Sequence, residues 1–363
     1  MVVMKSFAKC ALVLLGVVLF AACGGGSDSN GINNDTDYEL YEPEVYDAEE
    51  NNNDDDNDTE TTSNQTLPPT IQTPTVISQE PNDEVPFLWL VTAPHGQTMY
   101  IFGTIHYGNP DFFPLPIELM RAFRRSDFLA TERLIFEDFP QWIHREPLVL
   151  ENYMSQERIR ELHQQAMAIL DGYEDYVLEM MGVALDELYD LDINALNSII
   201  GSIVFAKSGA SNFYGMEMFF TREALSRHIP ILGIEDGAAI DERMLNMSSE
   251  IIIRQLEYSY NVGSISEQVE IHRESMRRWR SGDEQWLLAT TNYMFEILND
   301  DELAAELRYI LFDSRDGHMA DRASEFMAEG KKVFFMVGAA HLLVENNVLE
   351  QLAQRGYAIE RIR

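Results

Sequence analysis

Two stretches of this chain, more than two hundred residues apart, each end an apolar β-forming run at a glycine and place a histidine three positions further on. One is MYIFGTIHYG, with Gly103 and His106; the other is KVFFMVGAAHLL, with Gly338 and His341. Side chains alternate between faces along a strand, so a histidine just past its end stands at the rim of a sheet, not deep in its core. In α/β sheets that rim is where chemistry is held. A glycine there lets the backbone turn sharply, or lets a ligand come close where a Cβ would obstruct it. A third run, FLATERL, sets Glu132 at its carboxyl end. Two imidazoles and a carboxylate at one rim suit a divalent transition metal such as Mn²⁺, Co²⁺ or Zn²⁺, with positions left for water. Such an ion lowers the pKa of its bound water toward about 7. A nearby carboxylate then acts as general base or carries the proton to a leaving amine. The residues leave open whether Glu132 is ligand or base, and whether the three groups activate water directly, without a metal. No compact ligand signature such as H-E-x-x-H is present.

Other chemistries find little support. There is no G-x-S-x-G, no P-loop and no G-x-G-x-x-G. The two cysteines, Cys10 and Cys23, both lie near the N-terminus. His163 and His272 fall within helical patterns and read as packed or solvated helix residues.

Residues 1–22 have the layout of a signal peptide: Lys5 and Lys9, the apolar run ALVLLGVVLFAA, then Cys23. The run is short for a membrane span. Leu19-Phe20-Ala21-Ala22-Cys23 resembles a bacterial lipobox, although Phe20 stands where an aliphatic residue is usual. The resemblance implies that Cys23 carries lipid and holds the mature chain to the cell membrane on its extracytoplasmic face. With Cys10 removed, no intramolecular disulfide remains, so stability must come from a core.

Residues 23–85 change character. Seventeen acidic residues lie between Asp28 and Glu84, and no Lys or Arg occurs between Lys9 and Arg121. So polar and self-repelling a stretch cannot bury enough surface to offset its ordering entropy, and the composition predicts an extended, solvated tether. Residues 86–363 are long enough for one large domain with a sizeable core. The whole chain carries a formal net charge of −35. That balance argues against a nucleic-acid partner, which needs a basic footprint. It gives no sign of electrostatic docking on anionic lipid either, a task left to the anchor.

The elements that must position the rim residues are legible as runs. FLWLVTA and TMYIFGTI flank Pro94-His95-Gly96-Gln97 and predict a β-hairpin. Further strands are predicted at Phe128 to Leu134, Ile231 to Glu235, Lys331 to Val337 and in the closing YAIERI. Between them the period is helical. IELMRAFRRS follows a proline, SQERIRELHQQAMAIL aligns Ile159, Leu162, Ala166, Ile169 and Leu170, and SEQVEIHRESMRRW aligns Val269, His272, Met276 and Trp279. The fold class expected is mixed α/β (α+β): a central mixed sheet with strand-end Gly-x-x-His motifs, flanked by helices and carrying a helical insertion.

YIFGTIHYG with its following PLP, the glutamate of ATERL, ILGIED, W-x-x-G-D at Trp279 to Asp283, VGAAHL and the closing G-Y-x-x-x-x-I resemble the TraB/GumN family, whose animal relatives are the TIKI metalloproteases. The resemblance spans Phe87 to Ile362 in the family's order. It implies that His106, Glu132 and His341 occupy the family's active-site positions, with Glu235 matching the glutamate of its L-E motif and Arg315 the arginine of its R-N motif. Two positions depart from the pattern: Asp316 stands for the asparagine after that arginine, and Glu217, in Tyr214-Gly215-Met216-Glu217, for an aspartate. Arg315 has two readings, a clamp on a substrate carboxylate or a partner of Asp313, Asp316 or Asp321 on a surface helix.

The sequence thus points to an extracytoplasmic, lipid-anchored, metal-dependent hydrolase, and the resemblance alone implies a peptide or protein substrate. The alternative of a different class is a surface protein that binds or sequesters a peptide signal without cleaving it. A carbohydrate-related role is suggested by the GumN name and by no residue.

Overall fold

The computed structural model describes residues 84–134, 148–181 and 192–363. The expected signal peptide, residues 1–22, Cys23 and nearly all of the acidic stretch read as a tether lie outside the described residues. All six expected strands form: β1 (Leu88–Thr92), β2 (Thr98–Thr104), β3 (Phe128–Thr131), β4 (Ile231–Gly233), β5 (Val333–Gly338) and β6 (Ala358–Ile362). They make one mixed sheet in the order β4-β3-β5-β2-β1-β6. β1 and β2 are the predicted antiparallel hairpin, closed by Ala93 N–H to Gln97 O at 2.8 Å with Gly96 at φ +90°. β2, β5, β3 and β4 are mutually parallel. Only β1 opposes them, and β6 pairs with β1 antiparallel.

The central strand β5 reads VFFMV with no alternation because helices cover both faces and every one of those side chains is buried. β3 and β4 are shorter than the sequence suggests. Thr131 Oγ1 donates to Arg133 O at 2.7 Å and turns the chain, and Arg133 forks onto Asp241 at 2.8 and 2.9 Å. The turn carries Glu132, and likewise Glu235, past the last ladder positions.

The helices follow the apolar stripes. In Gln156–Leu170, capped by Ser155, the residues Leu162, Ala166 and Leu170 are buried while Ile159 and Ile169 are partly so. With Ile193–Lys207 they form the expected insertion between β3 and β4, and together with Ile253, Leu256, Tyr260, Ile265 and Val269 from beyond β4 they build a second hydrophobic core. Ile265–Arg280 opens with a Ser264/Glu267 capping box. It buries Val269, His272, Met276 and Trp279 as its periodicity requires. Trp279 fixes this helix to the sheet: it stacks on Phe112 at 5.0 Å, meets Phe102 at 6.1 Å and donates Nε1–H to Gly103 O at 3.1 Å. Truncating a buried aromatic of this kind costs about 3–5 kcal/mol. Among the described residues no helix is long and apolar enough to cross a membrane.

Candidate active site

Because β2, β5 and β3 are parallel neighbours, their carboxyl ends share one edge, and each is followed by a residue singled out in the sequence: His106, His341 and Glu132. Glu235 follows β4 at the same edge. The glycines of the two motifs differ in purpose. Gly103 lies inside the β2 ladder, and a Cβ there would sit 2.9 Å from the Ala339 Cα and the Phe87 Cβ. The glycine therefore lets one Gly-x-x-His segment press against the other. It serves this contact and neither a sharp turn nor ligand approach. Gly338 has room for a Cβ, but its N–H donates to Glu132 Oε1 at 2.5 Å. The segment after His106 is held by the Gly108–Ser211 bridge and by Met216 N–H to Ile105 O at 3.1 Å. Gly215 packs so tightly that a Cβ would meet His106 O at 2.2 Å. That close contact delivers Glu217 to His106.

Each imidazole has its own carboxylate. His106 Nδ1 lies 3.0 Å from Glu217 Oε1, which also accepts from the Thr104 hydroxyl. His341 Nδ1 lies 2.5 Å from Asp316 Oδ1, with both side chains buried. An ionised carboxylate can only accept, so in both pairs Nδ1 carries the hydrogen and Nε2 is left as the second ring nitrogen. The Phe312 ring meets the His341 ring edge-on at 5.1 Å.

Arg315 joins the carboxylates of two other strands. Its Nη2 reaches Glu132 Oε2 at 2.7 Å and Glu235 Oε2 at 2.5 Å, and its Nε lies 3.1 Å from both Glu235 oxygens. Of the two readings the sequence left open, the pairing with Asp313, Asp316 or Asp321 is replaced by ion pairs with Glu132 and Glu235. The three aspartates lie on or beside Arg315's own helix, whereas the guanidinium extends to the sheet edge. A π turn at Tyr309–Asp313 resets the helix immediately before Arg315, so that Leu311, Phe312 and Arg315 all face the cavity. Single π turns of this kind occur often at functional sites.

The electrostatics follow from these contacts. Burial on its own would raise the Glu132 carboxyl, but Arg315, the two histidines and the Gly338 N–H outweigh it and hold the group well below the ordinary carboxylate range. Glu217 is likewise driven up by burial and brought down further by His106 and Thr104. The Glu217 charge raises His106 to about 9, against the pull of desolvation. Asp316 is pushed up, chiefly by burial. A cavity of about 150 Å³ opens on this cluster. His106, Glu132, Arg315 and His341 line it together with the apolar Trp279, Trp286, Leu287, Met294 and Phe312.

Part of the donor chemistry suits a divalent transition metal, and part does not. A metal-bound histidine typically gives its other ring N–H to a carboxylate, which is the state of both imidazoles. The cluster holds four carboxylates against one guanidinium, and Glu217 Oε2 is buried with no hydrogen-bond partner. His106 and His341 are the residues that would hold the ion. Glu132 has one oxygen on Arg315 and the other on Gly338, and among the described residues no three His, Cys, Asp or Glu donors gather into a ligand group.

The candidate site residues His106, Glu132, Glu217, Glu235, Arg315 and His341, with Gly103 and Gly338, come together at this edge, and Cys23 lies outside the described residues. Sequence reasoning overlooked Asp316 as a partner of His341. Its one signal was its place directly after Arg315, at the start of the Asp316–Ala328 helix. The apolar wall from Glu284–Glu296 was also missed, because nothing in a local helical stripe says which rim it will face.

The profile of the TraB/PrgY/gumN family matches residues 87–361, and the chain belongs to that family. No curated protein and no solved structure gives a significant match.

Proposed function

We propose that this member of the TraB/PrgY/gumN family is a lipid-anchored, extracytoplasmic hydrolase that cleaves peptides at the rim built from His106, Glu132 and His341. One observation carries the reading: two strand-end imidazoles, each backed at Nδ1 by its own carboxylate, flank a single cavity beside an arginine-held glutamate. Asp316 fixes the tautomer of His341 and leaves Nε2 as the ring's one free lone pair, to hold a metal ion or, without one, to take a proton from water. Glu217 orients His106 in the same way and favours its protonated form, which suits it to give a proton to a leaving group. Held far below its usual range, Glu132 is a weak proton acceptor. Its part is to keep a fixed negative charge at the rim and to position Arg315, not to act as base. The apolar side chains of Trp279, Trp286 and Leu287 in the lining exclude water, which strengthens the charge interactions in the cavity. When bound by His106 and His341, a divalent metal supplies a water of lowered pKa.

A metal-free version of the same hydrolysis is favoured by the ion pair of Glu132 with Arg315, which occupies the expected third donor. There His341, backed by Asp316, takes the proton from water, and His106 gives one to the leaving amine.

The test is cleavage of a peptide library by the full chain, read by mass spectrometry, beside His341→Ala and Glu132→Gln. Both variants should fold and lose turnover, and a chelator should silence the wild type reversibly, with Mn²⁺, Co²⁺ or Zn²⁺ restoring it. Unchanged cleavage under chelation selects the metal-free version. Tight peptide binding with no product from any form would mean a binding protein, and full activity in both variants would place the site elsewhere.

A further inference from the structure

The opposite edge of the sheet carries a second pattern. Five strands, β2 to β6, run in one direction, since β2 to β5 are parallel and β6, like β2, is antiparallel to β1. Their starts therefore share the edge remote from His106 and His341, across a strand length of roughly 20 Å. Three adjacent strands are each preceded within four residues by a pair of basic side chains: Arg227-His228 before β4, Arg124-Arg125 before β3, and Lys331-Lys332 before β5. Backbone pairing sets these in register, with Asp127 N–H donating to Lys332 O at 2.7 Å and Leu129 N–H to Pro230 O at 3.0 Å.

Arg124, Arg125, Arg227 and Lys332 are exposed. Arg124, Arg125 and Lys332 make no ion pair among the described residues. Of the acids beside them, Asp127 is exposed, Glu223 lies one helical turn before Arg227, and Glu329 is taken by Lys331 at 2.5 Å. Nothing here encloses a small anion. The pairs form a row along strands spaced about 4.8 Å apart, which matches a flat array of charges better than one bound phosphate. The −35 charge of the whole chain conceals this edge. Charges elsewhere on the molecule are screened beyond about 8 Å at physiological salt, so the local row decides what it meets.

We propose that this edge docks the protein on a bilayer surface bearing anionic phosphate headgroups. Docked so, the candidate site at the opposite edge faces away from the membrane, toward soluble peptides. The proposal does not rest on the hydrolase reading, since it concerns the other end of every strand.

The experiment is co-sedimentation of the full chain with vesicles of phosphatidylcholine, with and without phosphatidylglycerol, at low and high salt. The N-terminal segment is common to every form, so differences report the edge. Each basic residue near an anionic surface contributes about fivefold in partitioning. The triple variant Arg124→Glu, Arg125→Glu, Lys332→Glu should therefore lose more than the roughly hundredfold that removing three positive charges accounts for on phosphatidylglycerol vesicles, lose nothing on phosphatidylcholine alone, and melt like the wild type. Arg160→Glu, on the helical insertion, should change nothing. If the reversal impairs folding, the three glutamine substitutions should show the same direction at smaller size. Equal binding of wild type and variant to anionic vesicles, or no preference of the wild type for phosphatidylglycerol, overturns the proposal. So does wild-type binding to heparin or duplex DNA without binding to vesicles.

Discussion

His341 and Asp316 form a buried pair, 2.5 Å from imidazole Nδ1 to carboxylate Oδ1, that joins the end of strand β5 to the first turn of the helix preceding it. The pair gives the second Gly-x-x-His motif a fixed tautomer. Asp316→Ala would leave a buried N–H without an acceptor, which costs about 1–3 kcal/mol. Asp316→Asn should cost less, because an amide oxygen can still accept. We expect urea unfolding to rank wild type, Asp316→Asn and Asp316→Ala in that order of falling stability. Peptide turnover should fall about 10–100-fold in the alanine variant. A stable Asp316→Ala with full turnover would show that the pair positions nothing.

The two histidines that titrate abnormally bound the stability profile from opposite sides. His272 is buried against Tyr107 and Phe205, and burial pushes it down to about 3. The unfolded chain takes up this proton near pH 6.5 and the folded chain does not, so stability falls as pH drops from 6.5 toward 3. The depressed Glu132 acts in the same direction at lower pH, its contribution being lost as pH falls through its folded value. His106, raised to about 9 by Glu217, has the reverse sign: its contribution is complete below its unfolded value and is lost as pH rises through about 9. Its ring is 45 % exposed, so water screens the pair and this limb is the shallower one. Thermal melting across the pH range should therefore peak near neutrality. His272→Leu should flatten the acid limb and His106→Gln the alkaline limb. Curves for the variants that merely run parallel to the wild type would refute the assignment.

The strands were legible because their apolar runs are long and end at glycine or before a turn. FGTIH and VGAAH alone place two histidines at one rim once the strands are parallel. What local pattern could not reveal was anything decided by packing across the sequence. The small volume of Gly103 matters because Ala339, on another strand end, needs the space. Asp316 reads as a helix-start acid until the helix folds back onto β5. The basic row escaped notice because Arg124, Arg227 and Lys332 are scattered through an acidic chain and are united only by strand direction.

Arg315 offers the sharpest separation between a structural and a substrate-binding guanidinium. It is buried between Glu132 and Glu235, whose side chains are 18 % and 2 % exposed, and it reaches both through Nη2. Removing one partner of a buried ion pair leaves uncompensated charge and costs about 3–5 kcal/mol. Arg315→Met should therefore destabilise the fold by about that amount in urea unfolding. Arg315→Lys should fall in between, since a point charge cannot fork across two carboxylates. Adding Glu235→Gln to Arg315→Met should recover part of the loss, because one of the stranded charges is gone. If Arg315→Met instead keeps wild-type stability and loses only affinity for peptides, then the guanidinium is free for the substrate carboxylate and its bonds to Glu132 and Glu235 give way on binding.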